Sequence, residues 1–357
     1  MGDSPLFQTY VVGSLPRPRW VRDIIEDRRD GKLSIQDADR LLDAAIPSAV
    51  RMQERAGLDY LSDGEWRRES YIKVFSEHVD GFKLEAVPSV SRTIMDPAVV
   101  AHLHQKGPLA AEAARFLAKS TTQKTVVAIP SPYILGWRTW HAELSRVAYP
   151  TRKDFMEACV PILKREMKEL VSAGVNHIQI DEPWLLMLVD PEHRKRIGAQ
   201  NLDKEIELCV AMVNAVVAGA GVPTSMHLCH AHFNRRRFSD GGYEPIVEAL
   251  GDINVTRFAM EFSAPQSHGV SVLAKFPKDK ILGLGVIDHC DAKVEDTETV
   301  ISRVEAALRY VPPDRVTLNP DCGFSPSAQN PMDFDEAYLK LAAMCRAAKA
   351  LRARHGN

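Results

Sequence analysis

The chain has no run of 18 apolar residues, so no segment reads as a membrane-spanning helix. Its start, MGDSPLFQTY, lacks the basic-then-apolar order of a secretion signal. Both absences predict a cytoplasmic protein with no membrane partner. Cysteine is sparse: six in 357 residues, at 159, 209, 229, 290, 322 and 345. They are scattered through helix-like and strand-like segments, which excludes a disulfide framework. Neither charge sign prevails, with 45 basic against 47 acidic residues and a formal net charge of −2. Such a balance gives no reason to expect nucleic acid as a partner. There is no low-complexity stretch, no repeat at a 20–50-residue period and no interdomain linker.

What is present is enough to bury a large core. Hydrophobic residues make up 45% of the chain and charged residues 26%, which fits one domain over 1–357. Short β-rich runs recur eight times, near 8–14, 58–65, 124–130, 177–183, 223–230, 255–263, 281–288 and 315–323. Helical patterns lie between them. RKDFMEACVPILKREMKELVSAG repeats apolar residues at three and four and closes on Gly174. DKEIELCVAMVNAVVAGAG and TETVISRVEAALRYV do the same before the fifth and eighth runs. Eight β/α units predict an α/β protein of the (β/α)8 TIM barrel class. A doubly wound open sheet is the alternative, but no Gly-x-Gly-x-x-Gly turn follows the first strand. The stretch 66–123 exceeds one crossover helix. It predicts an excursion between strands 2 and 3 that covers the barrel mouth.

In such a barrel, chemistry sits at the C-terminal strand ends. Ser14, Glu65, Asp181, His227, Cys229, Glu261, Asp288 and Cys322 all fall at or near those ends. His227 and Cys229, two apart in SMHLCHAHF, share one face of a strand. With Glu261 in FAMEFS and Cys322 in LNPDCGF they form a plausible tetrahedral Zn2+ set. His230 and His232 are rival ligands; the odd offset turns His230 to the opposite strand face, and His232 falls in the loop. Cys159, Cys209 and Cys345 read as core thiols. The run Arg235–Arg237 reads as a solvated loop.

Six ordered motifs make the chain resemble the catalytic domain of cobalamin-independent methionine synthase and its short relatives. They are VVGSLPRP at 11–18, DGEWRRESYIKVFSEHVDGF at 63–82, IQIDEP at 178–183, MHLCHAHFN at 226–234, EFS at 261–263 and NPDCGF at 319–324. The resemblance implies a (β/α)8 barrel with zinc on His227, Cys229, Glu261 and Cys322. It implies a thiol substrate whose amino-acid end is held near Val12, Gly13, Ser14, Glu65 and Asp181. It places the methyl donor near Trp137, with Ser91 and Arg92 close to the donor's far end. Full-length members carry a second, N-terminal barrel, and this chain reads as the catalytic unit alone.

The residue types suit that chemistry. A zinc-bound thiol is held as the nucleophilic thiolate, and carboxylates at Glu65 and Asp181 suit an α-ammonium. A tertiary-amine methyl donor such as methyltetrahydrofolate needs a proton as it leaves. The family supplies it from a histidine after the seventh strand. In GVIDHCDAKVED an ungapped match puts Cys290 there, with His289 one residue earlier as the candidate acid and Asp288 as its orienting partner. The expected activity is methyl transfer to homocysteine, from a folate or from another donor, with a separate methyl-carrier protein as one possible partner. Alternatives are an epoxyalkane:coenzyme M-type transferase, kept open by Arg17, Arg67 and Arg68, and a non-catalytic thiol- or zinc-binding barrel. A zinc-free decarboxylase of the porphyrinogen type is disfavoured by the ligand set.

Overall fold

The computed structural model describes residues 5–88, 95–199, 201–263, 269–325 and 331–356. Its strands in chain order are β1 (Tyr60–Leu61), β2 (Val79–Pro88), β3 (Met95–Gln105), β4 (Lys124–Pro130), β5 (His177–Asp181) and β6 (Thr224–Leu228). Then come β7 (His232–Phe233), β8 (Arg236–Arg237), β9 (Arg257–Met260), β10 (Ile281–Ile287) and β11 (Val316–Pro320). Seven of them form one parallel sheet in the order β1-β4-β5-β6-β9-β10-β11. Helices cover it, so its strands are buried almost throughout: all five residues of β5 and of β6, and six of seven in β4. Burial on both faces is why they read as continuous apolar runs.

The two edges of this sheet meet on one short stretch. Thr9 bridges Leu318 of β11 in parallel, with Tyr10 N–H donating to Leu318 O at 3.2 Å and Leu318 N–H to Gln8 O at 2.8 Å. On its other side, Thr9 O accepts from the N–H groups of Asp59 and Tyr60 at 3.0 and 3.1 Å. The sheet therefore curls on itself, as in a TIM-like barrel. The first expected strand shrinks to this bridge. Beyond it the chain leaves the ladder at Gly13 (φ +82) and runs into Pro16 and Pro18, which have no N–H to give.

The crossovers are capped where the sequence says. Thr151 and Asp154 make a reciprocal capping box for the helix Arg152–Ser172, and Gly174 takes φ +87 beyond its end. Asn201 and Asp296 cap Leu202–Val217 and Thr297–Ala307. Between β1 and β4 lie the helix Lys73–His78, the antiparallel hairpin β2–β3 and the helix Ala111–Ser120. Phe82 of the hairpin packs edge-on against Phe75 and Phe155. Asp96 and Arg138, both buried, pair at 2.5 Å and tie the hairpin to the helix Pro132–Thr139.

One carboxylate pins the meeting of the sheet edges. Asp59 Oδ2 accepts from Thr9 N–H at 2.7 Å, Thr9 Oγ1 at 2.9 Å and Arg352 at 2.5 Å. Removing it strands a backbone donor at the junction. Asp59→Ala is expected to lower stability by about 2–4 kcal/mol in urea unfolding, from two or three hydrogen bonds lost together. A change below about 0.5 kcal/mol, typical of a neutral surface site, would show that Asp59 does not hold the junction.

Candidate active site

Strand register gathers the chemistry at one end of the sheet. Asp181, the last residue of β5, pairs with His227 of β6, and His227 pairs with Ala259 of β9. Cys229 follows β6 by one residue, Glu261 follows β9 by one, Asp288 follows β10 by one and Cys322 follows β11 by two. Donor atoms of His227, Cys229 and Cys322 lie within 4.8 Å of one another, all buried. The two sulfurs stand 3.5 Å apart. Two thiolates on a tetrahedral zinc, each at about 2.3 Å, would sit about 3.8 Å apart. Neither ring nitrogen of His227 has a hydrogen-bond partner. Two thiols and an unpartnered imidazole fit a thiophilic cation.

The protonation pattern points the same way. Burial pushes the Cys229 thiol up, but Cys322 and His227 outweigh it and bring it down to about 6. Burial opposes a charge on His227, but the Cys229 thiolate overrides it and lifts the imidazole to about 9. The Cys322 thiol is held well above its ordinary value by its hydrogen bond with Cys229 and by burial. The site thus favours one thiolate beside one cation.

Glu261 stands just outside this group of three. Its Oε2 meets His230 Nδ1 at 2.5 Å, while its Oε1 is buried with no hydrogen-bond partner. His230 Nε2 faces Gly241 O at 2.7 Å, so His230 orients Glu261 rather than competing with it. The alternation argument fails for His230 because β6 has already ended at Leu228. The solvated-loop reading of Arg235–Arg237 is also overturned for two of its three residues. Arg235 makes a two-pronged pair with Glu336 at 2.9 and 2.6 Å. Arg237 lies 3.3–3.6 Å from Glu261, Asp288 and Asp321. The short hairpin β7–β8 turns these cations inward.

Asp321 is a residue the sequence reading passed over. Fully buried, it accepts from the N–H groups of Phe262 and Ser263, both at 3.1 Å, and from Ser263 Oγ at 2.6 Å. It therefore ties the end of β9, with Glu261, to the end of β11, with Cys322. Its place beside Cys322 in NPDCGF was the available signal.

The amino-acid half of the expected site also assembles. Gly13 brings the first segment so close that a Cβ there would fall 2.6 Å from Glu65 Oε1. Gly323 lets the turn after Cys322 touch the same segment, since its Cβ would sit 2.5 Å from Ser14 Oγ and 2.7 Å from Val12 O. Ser14 Oγ accepts from Ser325 N–H at 3.1 Å. Glu65 adopts φ +59, a left-handed backbone rare for a non-glycine residue and concentrated at functional sites. It pairs with Arg68 at 3.3 Å. Burial, then Glu65, pushes Asp181 up to about 7.

The donor half departs more from expectation. His289 is fully buried, and burial, then His232 and Arg237, holds its pKa well below the usual imidazole range. Asp288 Oδ1 accepts from Cys290 N–H at 2.8 Å and from Arg237 at 3.3 Å. His289 Nε2 instead faces Cys290 Sγ at 3.3 Å, and its Nδ1 has no hydrogen-bond partner. Asp288 does not orient His289 directly, because the loop backbone and Arg237 already engage its carboxylate. His232 is buried in β7 rather than in an open loop, its ring 3.9 Å from that of His289. Trp137 is 1% exposed, stacked on Trp184 and capped by the Arg152 guanidinium 3.4 Å from its ring centroid. No face of it is open to a donor. Ser91 and Arg92 lie outside the described residues.

A curled parallel α/β sheet with a thiol-rich, metal-competent group at its C-terminal strand ends defines an enzyme of the TIM-like barrel class. The family described as "Cobalamin-independent synthase, Catalytic domain" matches residues 7–350. Methionine synthase of Saccharolobus solfataricus is 30% identical over 356 residues, covering 99% of this chain and 97% of that protein. Methionine synthase of Pyrococcus horikoshii is 29% identical, covering 98% and 94%. Among solved structures, a B12-independent methionine synthase from Shewanella sp. W3-18-1, in complex with selenomethionine, superposes with a TM-score of 0.82. It is 23% identical and covers 98% of this chain and 99% of its own. The chain belongs to the cobalamin-independent methionine synthase family and is a methyltransferase. Among the described residues, no helix is long and apolar enough to cross a membrane.

The raised Asp181 carboxyl has a measurable consequence. Between its unfolded value near 4 and its folded value of about 7, the folded chain keeps a proton that the unfolded chain has released. Stability from this group therefore falls as pH rises through that window. Asp181→Asn should stabilise the metal-free protein more at pH 8 than at pH 5, by about 1–3 kcal/mol. Thermal or urea unfolding at the two pH values checks it; an equal effect at both would refute the buried, proton-retaining carboxyl.

Proposed function

We propose that the chain is a zinc-dependent S-methyltransferase that methylates homocysteine to methionine, using methyltetrahydrofolate or another methyl donor. The observation that carries this reading is the convergence of His227, Cys229 and Cys322 beside the buried carboxylate pair Glu65 and Asp181. The first group suits a metal that takes a further sulfur. The second suits an ammonium.

In this reading His227, Cys229 and Cys322 would hold Zn2+, with Glu261, aligned by His230, as the candidate fourth ligand. The chemistry such an ion supplies is to keep an incoming thiol as thiolate at neutral pH. Asp181 gives up its proton as the substrate ammonium arrives, and with Glu65 it aims the sulfur by charge-assisted hydrogen bonds. The backbone around Val12, Gly13 and Ser14 takes the substrate carboxylate. His289, buried and held neutral here, would first have to take up a proton before it could pass one to the leaving group, and Asp288 steadies its loop through Cys290 N–H. Stacking of the donor on Trp137 requires Arg152 to leave its ring. The hairpin β2–β3 covers the mouth of a (β/α)8-type barrel in which the Thr9 bridge takes the place of the first strand.

Homocysteine is favoured over a sulfonated thiol because the nearby cations are engaged. Arg17 donates to the carbonyls of Glu65, Arg68 and Ser325. Arg68 holds Ala128 O and Glu65, and Arg67 pairs with Asp43.

Two measurements test the proposal. Purified protein should carry bound zinc by mass spectrometry, and Cys229→Ser and Cys322→Ser should each lose metal from this site and at least about 100-fold in activity, as loss of a ligand does. Full zinc retention in both variants would refute the ligand assignment. Given methyltetrahydrofolate, homocysteine should be consumed and coenzyme M spared. Glu65→Gln should raise the homocysteine KM by about 10–100-fold, the worth of a charge-assisted hydrogen bond. Consumption of coenzyme M with an epoxide instead would sink the methyltransferase assignment to homocysteine.

A further inference from the structure

We propose that the floor of the barrel, the end opposite the strand-end cluster, binds a small oxyanion on the guanidinium of Arg257. The ligand chemistry is two oxygens held side by side on a negative charge, as in inorganic phosphate or a carboxylate. The position is independent of the zinc reading. Arg257 opens β9 four residues before Glu261, about 13 Å away along an extended strand.

Arg257 is 4% exposed, and its guanidinium lies over two rings, 4.8 Å from the centroid of Tyr10 and 5.7 Å from that of Tyr60. A guanidinium over a ring offers its face and keeps its N–H groups, which point outward in its own plane. Its Nε has no hydrogen-bond partner, and among the described residues no carboxylate pairs with it. Buried charges are ordinarily paired. The two titratable neighbours do not supply the missing negative charge. Burial raises the Tyr10 phenol, so it stays neutral. Burial, then Arg257, holds His177 well below the usual imidazole range, so it too is uncharged. Lys124, exposed at the start of β4, adds a second cation 5.6 Å from the Tyr60 centroid and brings this end of the barrel to the solvent.

Further donors line the same place. The His177 ring meets that of Tyr60 edge-on at 6.0 Å, and neither of its nitrogens has a hydrogen-bond partner. A neutral imidazole has one N–H to give. Ser225 pairs with Arg257 across the ladder, and its buried hydroxyl is also unpartnered. The interior's unpartnered acceptors, Gln179 Oε1 and Asn319 Oδ1, belong to amides anchored towards the active-site end. Their N–H groups donate to Asp181 Oδ1 and Pro320 O, each at 2.8 Å. At the floor, the planar fork of Arg257 with flanking donors suits paired oxygens, the geometry in which arginine surpasses lysine.

Equilibrium dialysis of the full-length protein against labelled phosphate, and separately against labelled formate, tests this at fixed ionic strength. Wild type should take up one equivalent of at least one of them saturably. Uptake of phosphate alone identifies an inorganic ligand, and uptake of formate alone a carboxylate. Arg257→Gln should abolish that uptake. Arg257→Lys should weaken it by at least about 10-fold, because an ammonium cannot grip two oxygens at once. Neither change should alter the metal content of the protein, so failure here leaves the zinc reading untouched. No saturable uptake by wild type, or uptake that persists in Arg257→Gln, overturns the proposal. Should Arg257→Gln fail to fold, wild type and Arg257→Lys decide. The same anion should raise the wild-type unfolding temperature saturably, by about 2–4 °C, and the Arg257→Lys temperature by less. An equal shift in both, or none in either, overturns it.

Discussion

A buried imidazole with no hydrogen-bond partner, set beside two thiols 3.5 Å apart, cannot be left neutral and bare without a penalty. Unsatisfied polar atoms in a dry site cost roughly 1–3 kcal/mol each. Some positive charge must sit among them. An imidazolium at His227 beside the acidified Cys229 thiol meets that need, while burial and its hydrogen bond with Cys229 keep Cys322 protonated and neutral. A divalent cation would do the same work with one ion.

The frame meets it by register rather than by any single strong bond. Strands β5, β6 and β9 are aligned so that Asp181, His227 and Ala259 form one row across the sheet. Glu261 and Cys322 then arrive from β9 and β11, and Asp321 fixes their separation by accepting three hydrogen bonds from Phe262 and Ser263. At the other margin, Gly13 and Gly323 remove the side chains that would hold the first segment away from Glu65 and from the Cys322 turn. The sheet edges must meet on Thr9 for this, because Val12–Ser14 follow directly from that bridge. Closure of the sheet and assembly of the site are therefore one event.

Much of this was legible in the residues. The parallel strands read clearly because burial on both faces makes them unbroken apolar runs, as in KTVVAIP and HIQID. The grouping of His227, Cys229 and Cys322 was legible because strand ends face one rim. What escaped has identifiable causes. Alternation misplaced His230 because the strand stops two residues before it. Arg235 and Arg237 looked solvated because charge runs usually are, and a six-residue hairpin fold-back cannot be seen in composition. Asp321 was hidden by its ordinary role, a carboxylate accepting backbone N–H groups. Trp137 was placed beside the methyl donor by resemblance, but here Trp184 and Arg152 enclose it. The run at 58–65 read as a strand, and its ladder pairing is confined to the two residues Tyr60–Leu61.

The two halves of the site differ in how closely they follow the family. The strand-end cluster keeps the residue types expected of it, His227, Cys229, Glu261 and Cys322 with Glu65 and Asp181. The loop after β10 is where this chain departs from the expected motif: Cys290 stands at the expected histidine position, His289 is one residue early, and a second imidazole, His232, packs against it. A loop can absorb a one-residue shift only if something else fixes the imidazole. Here the loop is clamped from behind: Lys340 donates to Asp288 O at 3.0 Å and Lys293 O at 2.6 Å, and Glu295 accepts from Asp288 N–H at 2.6 Å. A buried lysine and its partner glutamate are an expensive way to hold a flexible turn. Their presence argues that the position of His289, early as it is, is specified rather than drifting.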